Sequence, residues 1–122
     1  MATTSFTDLK LWQEAHKFVL LAYKITESFP KGEMFGLTSQ FRRAAVSIAA
    51  NIAEGYPKKG VNDKLRFYNI SQGSLEECRY YIILSFDLKY IDEKQRTQLW
   101  EQIENASHLL NNYCKTIRSS NS

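Results

Sequence analysis

Leu11, Ala15, Phe18, Ala22, Ile25 and Phe29 recur at alternating steps of four and three. That spacing keeps apolar side chains on one side of a helix. It predicts a helix over about 8–29, stopped by Pro30 and Gly32. After a connection from Pro30 to Leu37, Phe41, Ala45, Ile48, Ile52 and Tyr56 make a second stripe. Ala44, Ala49 and Ala53 widen it with little bulk. The second helix is predicted over about 38–55, with Thr38 as N-cap. Gly55 is expected just past its end in the left-handed conformation, and Pro57 prevents continuation. A third helix, about 62–88, starts on Asn62 or Asp63. It carries Gly73 at a cost of roughly 1 kcal/mol, which marks a close approach of helices. A fourth, about 92–118, opens on the capping-box pair Asp92 and Gln95. Leu99, Ile103, Ala106, Leu110, Tyr113 and Ile117 form its stripe, and Ser119–Ser122 reads as a frayed tail.

No strand-like alternation, repeat or low-complexity tract interrupts this pattern. Four helices with short joins predict an all-α fold, an antiparallel up-down-up-down four-helix bundle. The 122 residues make one domain, 1–122, long enough to bury a core.

Composition adds little to that picture. Hydrophobic residues are 43%, charged residues 24% and net charge +3, ordinary for a folded chain. Cys78 and Cys114 lie far apart, outside any metal-ligand spacing, and read as reduced, buried helix cysteines. Met1–Thr7 has no signal-peptide design. The longest apolar runs, Phe18–Tyr23 and Tyr80–Leu84, fall far short of the ~18 residues a spanning helix needs. The expectation is a cytoplasmic protein with no membrane partner.

Facing residues of an antiparallel helix pair have a nearly constant index sum. The turn near residue 58 sets it at about 117 for helices two and three, within a helical turn. Arg43 then comes within reach of Ser74 and Glu77, and Asn51 and Glu54 within reach of Arg66. The expected result is a polar seam of Arg43, Ser47, Asn51, Glu54, Ser74 and Glu77. Arg43–Glu77 and Glu54–Arg66 would be its charge pairs, and the alternative is four solvated surface charges.

The stretches "FGLTSQFRRAAVSIAANIAEGY" (Phe35–Tyr56) and "RFYNISQGSLEEC" (Arg66–Cys78) carry a resemblance. They resemble the four-helix bundle protein family that includes proteins encoded in the intervening sequences of bacterial large-subunit ribosomal RNA genes. The chain is also similar to the accessory variability proteins of diversity-generating retroelements. Arg43, Ser47, Asn51, Glu54, Gly55, Gly73, Ser74 and Glu77 fall on the shared pattern. The resemblance implies an antiparallel bundle assembled as a homopentamer. Its retroelement branch implies binding to nucleic acid and to a reverse transcriptase. The charge here is much less basic than in a dedicated RNA binder.

Catalytic constellations are missing from the sequence. Neither His16 nor His108 follows a Glu by three residues, as a di-iron bundle site requires. Glu104 and His108 are spaced i,i+4 but lack further ligands. Glu101 and Glu104 lack a second acidic pair on a neighbouring helix. Ser47 and Ser74 have no histidine at predictable reach. Glu76 and Glu77 point roughly 100° apart on a helix. No enzyme, cofactor or metal is expected.

Up-down topology gathers Lys10, Lys58, Lys59, Lys64, Arg66, Lys115 and Arg118 at one end, against Asp8, Glu54 and Asp63. That end nets +4 and the rest of the chain −1. Repeated around a ring, it would form a basic rim for nucleic acid. Tyr56, Phe67, Tyr68 and Tyr113 lie near it, for base stacking or for core packing. The two apolar runs are hydrophobic nearly all round, so one bundle leaves Val19, Leu20, Tyr23, Tyr80 and Ile83 outside its core. These form the expected self-association surface, of the head-to-tail kind that closes into a ring. Two functions follow. One is a non-enzymatic, oligomeric accessory protein binding structured RNA or DNA. The other is a homo-oligomeric protein–protein scaffold.

Overall fold

A computed structural model describes residues 5–120. A 3-10 turn at Phe6–Asp8 leads into α1 (Lys10–Thr26), and a second at Lys31–Glu33 leads into α2 (Leu37–Gly55). Then come α3 (Val61–Asp87) and α4 (Glu93–Ser120). Helix α1 packs beside α2 and α4, and α3 packs beside α2 and α4, so each helix has two adjacent neighbours. This is the expected four-helix bundle.

The stripes read from the sequence are the core. Leu11, Ala15, Phe18, Ala22, Ile25 and Phe29 are buried, as are Phe41, Ala45, Ile48 and Ile52. Leu99, Ile103, Ala106 and Leu110 are buried too, while Tyr113 and Ile117 are partly buried against them. Helix α3 contributes Tyr68, Leu75, Cys78 and Ile82 to the same continuous core.

Helix ends hold several corrections. Thr38 does not cap α2. The helix starts one residue earlier, and the Glu33 carboxylate accepts from the Leu37 amide at 3.1 Å from the preceding turn. Neither Asn62 nor Asp63 caps α3, which opens on Gly60 without a side-chain cap. The Asp92–Gln95 capping box forms with both reciprocal bonds, at 2.8 and 2.9 Å. Ser119 and Ser120 are helical, and the remainder of the expected frayed tail lies outside the described residues.

Two glycines also read differently. No glycine among the described residues has positive φ, so Gly55 is an ordinary helical residue. Its role is clearance, since a Cβ there would lie 2.8 Å from Cε1 of Tyr68 and 3.0 Å from Cβ of Phe67. Gly73 is exposed, and a Cβ on it would meet nothing within 4 Å, so it marks no close approach. The left-handed residue is Lys89, at φ 64° after α3. The Lys89 amide donates to Phe86 O and the Tyr90 amide to Ser85 O, both at 2.9 Å. These are the two bonds of a Schellman motif.

Candidate nucleic-acid-binding end and association surfaces

The seam between α2 and α3 exists, in a smaller form than expected. Ser74 Oγ donates to Ser47 Oγ at 2.8 Å, and Ser71 Oγ donates to the Ile48 carbonyl at 2.8 Å. Asn51 Nδ2 donates to the Ser47 carbonyl at 2.9 Å and to Ser47 Oγ at 3.1 Å. The index sums of these cross-helix pairs fall within a helical turn of the expected one. The charge pairs do not form. Arg43, Glu54, Glu77 and Arg66 are all exposed, and none of the ion pairs among the described residues joins them as expected. Arg66 turns to Asp63 at 2.7 Å, and Glu77 accepts from the Tyr81 hydroxyl at 2.5 Å. Desolvation, then that bond to Glu77, pushes the Tyr81 phenol up to about 12. The heights along the helices were legible, but the charged side chains point away from the interface.

Antiparallel packing brings the start of α1, the α2–α3 turn and the end of α4 to one end of the bundle. The rings of Tyr68 and Tyr113, 5.4 Å apart, join α3 to α4 there. The seven predicted cations do not behave alike. Lys64 is partly buried and structural. Its Nζ donates to the Tyr56 carbonyl at 2.6 Å, lies near the Tyr56 and Tyr68 rings, and has its pKa lowered by desolvation. Lys58 and Arg66 flank the Phe67 ring, at 5.3 and 4.7 Å. Lys10 pairs with Glu14 at 3.5 Å. Lys59, Lys115 and Arg118 are exposed and make no ion pair among the described residues.

The expected self-association residues split in two. Leu20, Tyr23, Tyr80 and Ile83 are exposed in the single chain. Val19 is partly buried against the core and lines an apolar groove between α1 and α2 with Trp12, His16 and Ala53.

Two residues were missed by sequence reasoning. Glu14 is 6% exposed. It accepts from Lys17 Nζ at 2.9 Å and from Gln102 Nε2 of α4 at 3.2 Å. The Lys17 bond lowers its pKa against opposing desolvation, with further help from Gln102. The i+3 lysine in the sequence was the available signal. Phe35 is 93% exposed beside Met34 at 58%, at the end of the bundle opposite the basic one. It sat in a predicted connection, where no periodicity applies.

The histidine and acidic pairs are engaged elsewhere. Glu104 pairs with Arg79, and His108 Nε2 lies 3.2 Å from Asn112 Nδ2. His16 stacks on Trp12 at 4.8 Å. Cys78 and Cys114 are free and buried, and burial raises both thiol pKa values. Among the described residues, no helix is long and apolar enough to cross a membrane.

The fold has a solved counterpart. A protein of unknown function from the S23 ribosomal protein family of Bacteroides thetaiotaomicron superposes with a TM-score of 0.77 at 22% identity. The match covers 86% of this chain and 98% of that one. No curated protein matches the sequence. The model of the 23S rRNA-intervening sequence protein family matches residues 7–112. With nearly the whole bundle inside that match, the chain belongs to the 23S rRNA-intervening sequence protein family.

Proposed function

We propose that this protein is a non-enzymatic, oligomeric accessory protein of the cytoplasm that binds structured RNA through the basic end of its bundle. The observation that carries the reading is the trio Lys59, Lys115 and Arg118. They are exposed at one end with no ion-pair partner among the described residues. Cations not already neutralised are the ones that can displace counterions from phosphates. Lys58, Arg66 and Phe67 sit beside them as a cation–aromatic cluster suited to an unstacked base. Exposed Leu20, Tyr23, Tyr80 and Ile83 support self-association, which would repeat the basic end around an axis. The test is a gel shift with a structured RNA and with duplex DNA across a salt series. RNA binding that weakens steeply with salt is expected. No binding at low salt would overturn the reading. It would favour the protein–protein scaffold, for which the exposed Phe35 and Met34 at the opposite end are the supporting observation.

A further inference from the structure

We propose that Phe35 is the knob of a head-to-tail contact between copies of this chain, seated in the groove between α3 and α4 of the next copy. This inference rests on the oligomeric part of the reading above and names the contact that makes it.

The knob is held out by a braced turn. Glu33 spans it, accepting from the Leu37 amide at 3.1 Å through one oxygen and from the Tyr90 hydroxyl at 2.8 Å through the other. Gly36 lets the chain pass close to that carboxylate, because a Cβ there would lie 2.7 Å from Glu33 Oε1. Phe35 is nevertheless 93% exposed. The brace orders the backbone that carries the ring, so docking orders the side chain alone and not the turn beneath it.

The groove is of matching character. It holds about 510 Å³ and is lined by Ile82, Ile83, Arg96, Thr97, Trp100 and Glu101. Ile82, Ile83 and Trp100 give it apolar lining beside the polar Arg96, Thr97 and Glu101, a mixture that suits an aromatic anchor. Ile83 is 48% exposed at its edge.

Placement turns these two features into a ring contact. Ile83 lies about one helical turn before the end of α3, and Thr97 about one turn after the start of α4. Phe35 lies just before the start of α2, at the same end of the bundle. Knob and groove are therefore close to one height. They are also different patches of the surface, one at the α1–α2 connection and the other between α3 and α4. A contact between two different patches at about one height is head-to-tail, and it closes into a ring when the rotation it imposes closes.

Charge agrees with the pairing. Residues 14–43, around the knob, carry five cations and three acids, a net +2. Residues 76–104, around the groove, carry seven acids and four cations, a net −3. Opposite fields orient the two faces toward each other and repel like faces.

The experiment is complementation by mass. Phe35→Ser removes the knob, and Thr97→Arg, at an exposed position, obstructs the groove; neither touches the core. Circular dichroism should show unchanged helicity. By light scattering at micromolar concentration, wild type is expected at several times 14.2 kDa and each variant alone at the chain mass. An equimolar mixture should run at twice the chain mass, because one intact knob then meets one intact groove. Wild-type mass retained by Phe35→Ser, or by both Thr97→Arg and Ile83→Asp, would overturn the contact while leaving the oligomer standing. A mixture that stays at the chain mass would also overturn it. A monomeric wild type would overturn the oligomer itself.

Discussion

Tyr68 occupies the space that a side chain on Gly55 would need, with its Cε1 2.8 Å from where the Cβ would sit. The glycine lies inside α2 and the tyrosine is fully buried in α3. The contact fixes how closely the two helices approach beside the basic end.

Gly55→Ala therefore tests packing against propensity. Helix propensity alone would make alanine more stable by about 1 kcal/mol. Overpacking against a buried ring costs about 1–3 kcal/mol. The expected outcome is net destabilisation, read as a lower urea midpoint. An unchanged or raised midpoint would mean that Tyr68 can move aside.

Lys89→Gly should act in the opposite direction. Lys89 sits at φ 64°, in a conformation that disfavours a Cβ. Glycine there should stabilise by about 0.5–1 kcal/mol, and Lys89→Ala should not. Thermal melts of the three proteins at one pH give the comparison.

The seam should respond at its hydroxyls rather than at its charges. Ser74→Ala removes the donor to Ser47 in a partly buried contact and should cost about 1 kcal/mol. Glu77→Ala lies at an exposed position and should fall within about 0.5 kcal/mol of wild type. A large loss from Glu77→Ala with a negligible one from Ser74→Ala would reverse this assignment.

Glu14 should make stability depend on pH. Its folded pKa is lowered from 4.5, so the folded state binds its proton less readily than the unfolded chain. The stabilisation is thus fully present above the unfolded value and is lost as pH falls through the lower folded value. Glu14→Gln should be less stable than wild type at pH 7. The gap should narrow as urea titrations are moved down through about pH 4 to pH 3. A gap independent of pH would show that packing, not charge, is lost.

At the basic end, Lys59→Glu with Arg118→Glu should leave helicity unchanged. It should weaken RNA binding and reduce its salt slope by about two. Lys64→Ala should instead lower the melting temperature, because Lys64 Nζ holds the Tyr56 carbonyl at the α2–α3 turn.

Apolar period by itself determined the four helices, their order and most of the core. Burying a stripe such as Leu11–Ala15–Phe18–Ala22 is the dominant favourable term, and its spacing is written along the chain. The turn position determined which levels of α2 and α3 face each other, and so brought Ser47 to Ser74. Only the tertiary structure decided azimuth. Arg43 and Glu77 share a height but point to water, because charged side chains gain more from solvent than from a half-buried pair. Tertiary structure also decided what the glycines do. Gly55 and Gly73 are both helical, yet only Gly55 faces a buried ring, and no local signal distinguishes them. The same holds for Phe35. A turn residue has no periodic neighbours, so its exposure depends on the brace that Glu33 and Tyr90 build, 57 residues apart.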